Sequence, residues 1–239
     1  VELPQAQYSS LGPYFQGLLM QHVNQSYANE LHASSFKPYS QHCFYNKEKN
    51  CLQWTICSLS SIAHSEIIEP LSGIQTIRLS RPGISFDKLS QVSEVVSLKQ
   101  LTSQIHRTEK LDFTVRFTTP TAFKSQGEYV FMPTIRLIFQ NLLMHFNKVA
   151  EGIDEADQDT LDYIVQHTRI TSYRLNSSYF AHINASNTKI PAFVGTIKLH
   201  VDNVGVLPGF VEMLLSFGEF SGIGIKTAMG MGGIDLINH

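Results

Sequence analysis

Two places in this 239-residue chain bring together side chains that can handle a phosphate ester. At the first, Lys226 stands between Gly224 and Thr227 inside residues 218–233, a run that puts six of the chain's fifteen glycines into sixteen residues. Glycine removes the Cβ and opens positive φ, so such a run lets backbone N–H groups converge on an anion, or lets another backbone approach closely. An ammonium beside free amides suits a phosphate contact. At the second, His32 ends an early helical pattern, precedes Ser34 and Ser35, and stands five residues before Lys37. An imidazole, which exchanges a proton near neutral pH, and an ammonium thus share a connection between helix and strand, where function collects.

The surroundings of the glycine run narrow its ligand. After Pro208, the residues Phe210, Val211, Leu214, Leu215 and Phe217 recur at helical spacing, so a helix runs into the loop. Common phosphate loops run the other way, from strand through loop to a helix whose N-terminus faces the phosphate. A Walker loop needs glycine directly before its lysine, and here Ile225 precedes Lys226. A dinucleotide fingerprint needs a strand before the loop and an acidic residue about 20 positions after it, whereas this sequence stops at His239. Both nucleotide readings are weak. A plainer alternative stays open, in which the glycines pack a closing hairpin against the helix.

Of the other histidines, His22, His64 and His145 fall on helical faces. His42, His106, His167, His182 and His200 fall in strand or loop runs, and His239 is terminal. Each reads as a surface or satisfied core residue. Cys43, Cys51 and Cys57 make no CxxC pair, leave one thiol over from any disulfide, and suit a reducing compartment better than a zinc site. With 43% hydrophobic and 16% charged residues the composition is that of a soluble globular protein, expected to be cytoplasmic, with neither a membrane span nor a leader. The net charge of −2 conceals segregation: residues 151–162 hold six acids and no base, leaving 18 basic against 14 acidic residues elsewhere. A modest basic face is therefore compatible with a nucleic-acid partner.

These groups must be positioned by a mixed fold. Residues 1–3 read as the end of a first strand. Phe15, Leu18, Leu19, His22, Val23 and Tyr27 give a helix from about Pro13, with a further turn at 28–32. Residues 40–46 and 51–59 read as a hairpin, 62–71 as a helix, and 75–79 and 84–95 as strands. The order β-α-β-β-α-β is ferredoxin-like. It starts again with strand 112–117, helix 135–148, strands 164–175 and 193–201, helix 207–217 and a final segment 233–237. The expectation is an α+β chain of tandem ferredoxin-like (RRM-like) domains, over 1–100 and 108–239, with the glycine-rich loop 218–233 in the second. The boundary falls between Ser97 and Lys110.

Three segments, in order, resemble the CRISPR-associated endoribonucleases that cut repeat RNA into guide RNAs, the sixth of the Cas protein families. They are residues 220–232 of the glycine loop; 116–124, followed by Tyr129, Pro133 and the helix 135–147; and Leu31-His32 followed by Phe36-Lys37-Pro38-Tyr39. The resemblance implies two ferredoxin-like domains side by side, with RNA tracking across their joint face. It also implies cleavage of precursor CRISPR RNA within each repeat, without metal or other cofactor. RNA supplies the nucleophile: a general base takes the 2′-OH proton, the oxygen attacks phosphorus, an acid protonates the leaving 5′-oxygen, and cations steady the phosphoryl charge. The ends produced are a 2′,3′-cyclic phosphate and a 5′-OH.

By the same resemblance the catalytic histidine is His32, with Lys37 supporting the transition state. A tyrosine of the first helical region assists in some members; Tyr14 and Tyr27 are both available, and Tyr27 is nearer in sequence. Should the catalytic imidazole be His42 instead, the site shifts by ten residues. The expected RNA contacts are Gly222, Gly224, Lys226 and Thr227, with Lys124 and Arg116 on the backbone and Arg169 and Arg174 as lesser candidates. The expected partner is CRISPR repeat RNA, and effector-complex subunits and a homodimer stay open. A non-cutting RNA-binding subunit of an effector complex is the alternative function. No aromatic pair of the kind that stacks bases on an RRM sheet is evident.

Overall fold

The computed structural model describes residues 11–79, 83–106, 109–150, 156–181 and 189–237. The expected first strand at 1–3, together with His182 and His239, lies outside them. The early helical pattern is two helices, α1 (Gly12–His22) and α2 (Gln25–Ala33). Asn24 makes the division: its side chain accepts from the Ser26 amide at 2.9 Å and caps α2. The expected hairpin is present as β1 (Tyr39–Asn46) and β2 (Cys51–Ser58), antiparallel with Tyr39 opposite Ser58.

The third helical stretch is irregular. It begins as α3 (Ser61–Ala63), widens into a π turn over His64–Ile68, and resumes as α4 (Glu69–Ser72). Pro70 has no amide to return to the preceding turn, which accounts for the widening. A short pair follows, β3 (Thr76–Leu79) with β4 (Ile84–Asp87). The strand expected over 84–95 thus stops at Asp87. Beyond it Leu89, Val92 and Val95 are more than 80% exposed, so apolar content alone did not make a strand without a partner to pair with.

After α5 (Leu98–Thr102) and a 3-10 turn at Ser103–His106, the second half forms a complete four-stranded antiparallel sheet. Its elements are β5 (Asp112–Thr121), the small pair β6 (Phe123–Ser125) and β7 (Glu128–Val130), α6 (Ile135–Val149), α7 (Gln158–His167), β8 (Thr168–Ala181), β9 (Lys189–Val201), α8 (Leu207–Ser221), a 3-10 turn at Thr227–Met229, and β10 (Ile234–Ile237). The strand order β10-β5-β9-β8 is the ferredoxin arrangement. The strand expected from Ile164 begins only at Thr168. Asp157 caps α7 by accepting from the Thr160 amide, and Leu161 and Ile164 bury as successive rungs of that helix.

α6 and α8 cover the sheet. Ile138, Phe139, Leu142, Leu143 and Phe146 of α6 meet Val211, Leu214, Leu215 and Phe217 of α8 over Val115, Ile197 and Leu199. Leu101 joins this core, and Gly209 packs so closely on the Ile105 carbonyl that a Cβ would stand 2.0 Å from its oxygen, so residues 98–106 are fastened to α8. A separate core holds Leu19, Tyr27, Leu31, Tyr39 and Ile67. The two halves are stitched by Gln41, whose Nε2 donates to the carbonyls of Gly12 (2.8 Å) and Ala228 (3.2 Å) while its Oε1 accepts from Trp54 Nε1 at 2.8 Å. No helix among the described residues is long and apolar enough to cross a membrane.

Candidate functional site

Tyr27, Ala28 and Leu31 turn the buried face of α2 into the N-terminal core, which leaves His32, one residue on, exposed in the last turn. The Ser34 amide closes the helix on the Glu30 carbonyl at 3.0 Å. Lys37 folds back onto the same end, its Nζ donating to the carbonyls of Leu31 and Ser34. A helix leaves such carbonyls without amide partners, and its dipole favours a cation there. Burial holds the Lys37 ammonium below the ordinary lysine pKa. These bonds use two of the three ammonium hydrogens, so one is not committed. The imidazole and the ammonium therefore share one helix end, as their spacing suggested.

Tyr27 does not join them. It is 8% exposed, its hydroxyl is buried without a hydrogen-bond partner, and burial followed by the charges of Glu30 and Glu66 raises its pKa. Five residues on a helix rotate a side chain by roughly 140°, so Tyr27 looks into the core while His32 looks out. Tyr14 is partly buried against the neighbouring cluster of Leu11 and Phe15. His42, the other candidate imidazole, is 7% exposed under the glycine loop, with its ring against Gly233. Burial pushes its pKa down, opposed by the nearby charge of Asp235.

The glycine loop is wound into the joint rather than displayed. Its amides are taken by the protein: Ile223 donates to the Gly232 carbonyl, Ile225 to that of Ala122 and Gly232 to that of Pro120, at 2.9–3.1 Å. Gly224 donates to Asn141 Oδ1 at 2.7 Å and Gly233 to Thr119 Oγ1 at 2.9 Å. The expected cradle of free amides at these positions is thus replaced by close packing, the plainer of the two sequence readings. Gly224 has φ +96° and a Cβ there would lie 2.4 Å from the Ala122 oxygen. Gly222 (φ +69°) rests on the methyl of Thr227, itself buried. A break in the β5–β9 register between Phe117 and Thr121 frees this part of β5 to bond the loop. Two of the segments read as signatures in the sequence are therefore in contact.

The cations around the loop differ in freedom. Lys226 is half-buried in the left-handed region (φ +56°), with Nζ 4.0 Å from Met229 Sδ. Burial first, and then the charge of Lys124, lower its pKa. Lys124 is exposed on β6 opposite Tyr129. Arg116 is held by Asp235, with Nη2 at 3.0 Å and Nε at 3.2 Å from the same carboxylate oxygen. Arg169 is likewise engaged, 2.8 Å from Asp202. Arg174 is exposed on β8.

Three residues that the sequence reading gave no site role connect these parts. Asn141 of α6 bonds Gly224 of the loop. His145, on the same face one turn later, packs against Phe36 of the His32–Lys37 segment, ring centroids 5.6 Å apart. The signal for Asn141 was a polar residue inside an otherwise apolar helical stripe; Phe36 stood in a segment that carries the resemblance, and His145 gave no signal. Among the described residues no three His, Cys, Asp or Glu side chains converge as metal ligands do.

Comparison with known proteins places the chain in context. The model of a family described as CRISPR-associated endoribonuclease Cas6 matches residues 115–234. The chain is 37% identical over 223 residues to a CRISPR-associated endoribonuclease Cas6 of Streptococcus thermophilus, covering 93% of this chain and 89% of the relative. It is 35% identical over 235 residues to a protein of the same description from Mycobacterium tuberculosis, covering 97% and 73%. Among solved structures, a Cas6 product complex superposes with a TM-score of 0.76 at 19% identity, covering 99% of this chain and 94% of that one, a likeness of fold.

Proposed function

The chain belongs to the CRISPR-associated endoribonuclease Cas6 family, and from that premise we propose that it binds CRISPR repeat RNA and cuts precursor CRISPR RNA once in each repeat without a metal ion. His32 carries the proton transfers: it is the exposed imidazole at the end of α2, with Lys37 on the same turn. The 2′-oxygen loses its proton, attacks the adjacent phosphorus and displaces the 5′-oxygen, which takes up a proton. One P–O bond forms and one breaks, leaving a 2′,3′-cyclic phosphate and a 5′-OH. The uncommitted N–H of Lys37 faces the developing phosphoryl charge. Lys226 and Lys124 hold the flanking backbone. Tyr27, with its hydroxyl inside the core, is left out of this set.

The observation that carries the reading is the meeting of His32 and Lys37 at a helix end whose following segment is packed on α6, the helix that also holds the glycine loop. We take the chain as two units, 1–100 and 108–239, with the linking residues 101–106 docked on the second and RNA crossing their joint. Effector-complex subunits and a second copy of this chain are the protein partners to look for, by light scattering of the purified protein alone and with RNA.

The test is incubation with labelled repeat RNA in EDTA. Cleavage is expected, with a cyclic phosphate at the new 3′ end. It disappears when the nucleotide before the cut is 2′-deoxy and falls at least about 100-fold in His32→Ala. Cleavage only on adding Mg²⁺, or full activity in His32→Ala, overturns the proposal.

A further inference from the structure

The connection between α6 and the N-terminal segment has a feature unlike an ordinary packing contact. His145 is largely buried, and its Nδ1 is buried with no hydrogen-bond partner. Burial alone lowers its pKa. A buried imidazole nitrogen that bonds nothing costs stability compared with an apolar ring. What the residue does supply is a ring face: Phe36 lies against it at 5.6 Å with 58° between the planes, within the range of favourable aromatic pairs. Phe36 is the residue before Lys37, and Ser34 Oγ donates to the Phe36 carbonyl at 2.7 Å. The turn that carries Lys37 and follows His32 is therefore fastened at its middle to the second unit.

We infer that His145 is a positioning residue for cleavage: through Phe36 it sets the His32–Lys37 turn at a fixed place along α6, one helical turn from the point where Asn141 sets the glycine loop. The inference rests on the reading of His32 and Lys37 as the cleaving pair. One rigid helix thereby fixes the spacing between the groups that move the proton and the loop bearing Lys226. Side chains four residues apart on a helix are neighbours, about 6 Å apart, so a change at either contact alters that spacing directly. Small misplacements of reacting groups cost rate far more than they cost binding.

The experiment compares His145→Ala, His145→Phe, Phe36→Ala and the Phe36→Ala/His145→Ala double variant. Single-turnover cleavage of repeat RNA, affinity for the 2′-deoxy-blocked RNA, and amide hydrogen exchange over residues 32–38 are read for each. The two alanine variants are expected to cleave about tenfold more slowly while binding within about twofold of the parent, and the double variant to be no slower than either. His145→Phe, which keeps a ring and removes the orphaned nitrogen, is expected to recover most of the rate. Exchange over 32–38 rises in both alanine variants and stays at the parent level in His145→Phe. Additive losses, a parallel loss of affinity, or a His145→Phe as slow as His145→Ala overturns the inference. Should the parent itself fail to cut, the cleavage reading falls, and the exchange measurement still decides whether His145 seats the turn.

Discussion

Asn141 holds Gly224 at both ends of the residue: its Oδ1 accepts from the Gly224 amide at 2.7 Å, and its Nδ2 reaches the Gly224 carbonyl at 3.4 Å. Gly224 is buried, so removing the partner leaves its amide unsatisfied inside the joint. Asn141→Ala is expected to lower unfolding free energy by roughly 1–3 kcal/mol. Urea unfolding measures this, and repeat-RNA affinity should fall with it because Lys226 rides on the same loop. An unchanged urea midpoint would mean that the loop finds its shape without α6.

The glycines of the loop make a contrast that separates packing from anion binding. Gly224→Ala would drive a Cβ to 2.4 Å from the Ala122 oxygen, and Gly232→Ala to 2.2 Å from the Ile223 oxygen, both at positive φ. Backbone atoms cannot step aside cheaply, so each substitution should cost more than about 2 kcal/mol. Gly17, exposed in α1 with nothing within 4 Å, is the opposite case, and Gly17→Ala should gain about 0.5–1 kcal/mol. Thermal unfolding of the three variants checks the order. Loop variants that stay as stable as the parent but lose RNA would restore the cradle of amides.

Periodicity made much of this architecture legible. The β1–β2 hairpin, α6 and α8 follow from runs whose apolar spacing agrees with their final burial, and the recurrence of β-α-β-β-α-β order pointed to two ferredoxin-like units. The failures have physical causes. Residues 164–167 read as strand because Ile and Val suit either period, whereas the Asp157 cap upstream and the burial of Leu161 and Ile164 carry the helix through them. Leu89, Val92 and Val95 promised a strand, but no neighbouring strand pairs with them among the described residues. At the site, His32 and Lys37 were visible because five residues of chain keep them together. Asn141 and His145 were not: what they touch lies more than 80 residues away in sequence, and no local pattern encodes such contacts.

Glu219 offers a pH test of the interface. Its carboxylate accepts from the Leu236 amide at 2.7 Å, yet burial first, and then the charges of Asp235 and Glu94, raise its pKa above the ordinary 4.5. A carboxyl with a raised pKa keeps its proton in the folded chain at a pH where the unfolded chain has already lost it. Stability from this group is therefore complete below about 4.5 and is lost as pH climbs through the folded value. Glu219→Gln retains the acceptor oxygen and removes the ionisation. Its Tm is expected to exceed the parent's near neutral pH, with the difference closing towards acid. A difference independent of pH would assign the effect to packing.

Lys226 lies close enough to Lys124 for that charge to lower its pKa, and both differ from Arg116, whose guanidinium is already bridged to Asp235. A phosphate that meets the two ammoniums displaces counterions from the RNA, so affinity must fall with salt, and each cation lost must flatten that dependence by roughly 0.7 in log–log slope. Lys226→Ala and Lys124→Ala are expected to weaken binding to cleavage-blocked repeat RNA several-fold each and to reduce the slope. Arg116→Ala should change the slope less, because its guanidinium is already engaged by the Asp235 carboxylate and is not an available phosphate contact. Binding titrations from about 50 to about 300 mM salt, roughly a sixfold span over which such contacts are readily resolved, decide between them. Equal slopes in all three variants would move the RNA path away from the glycine loop.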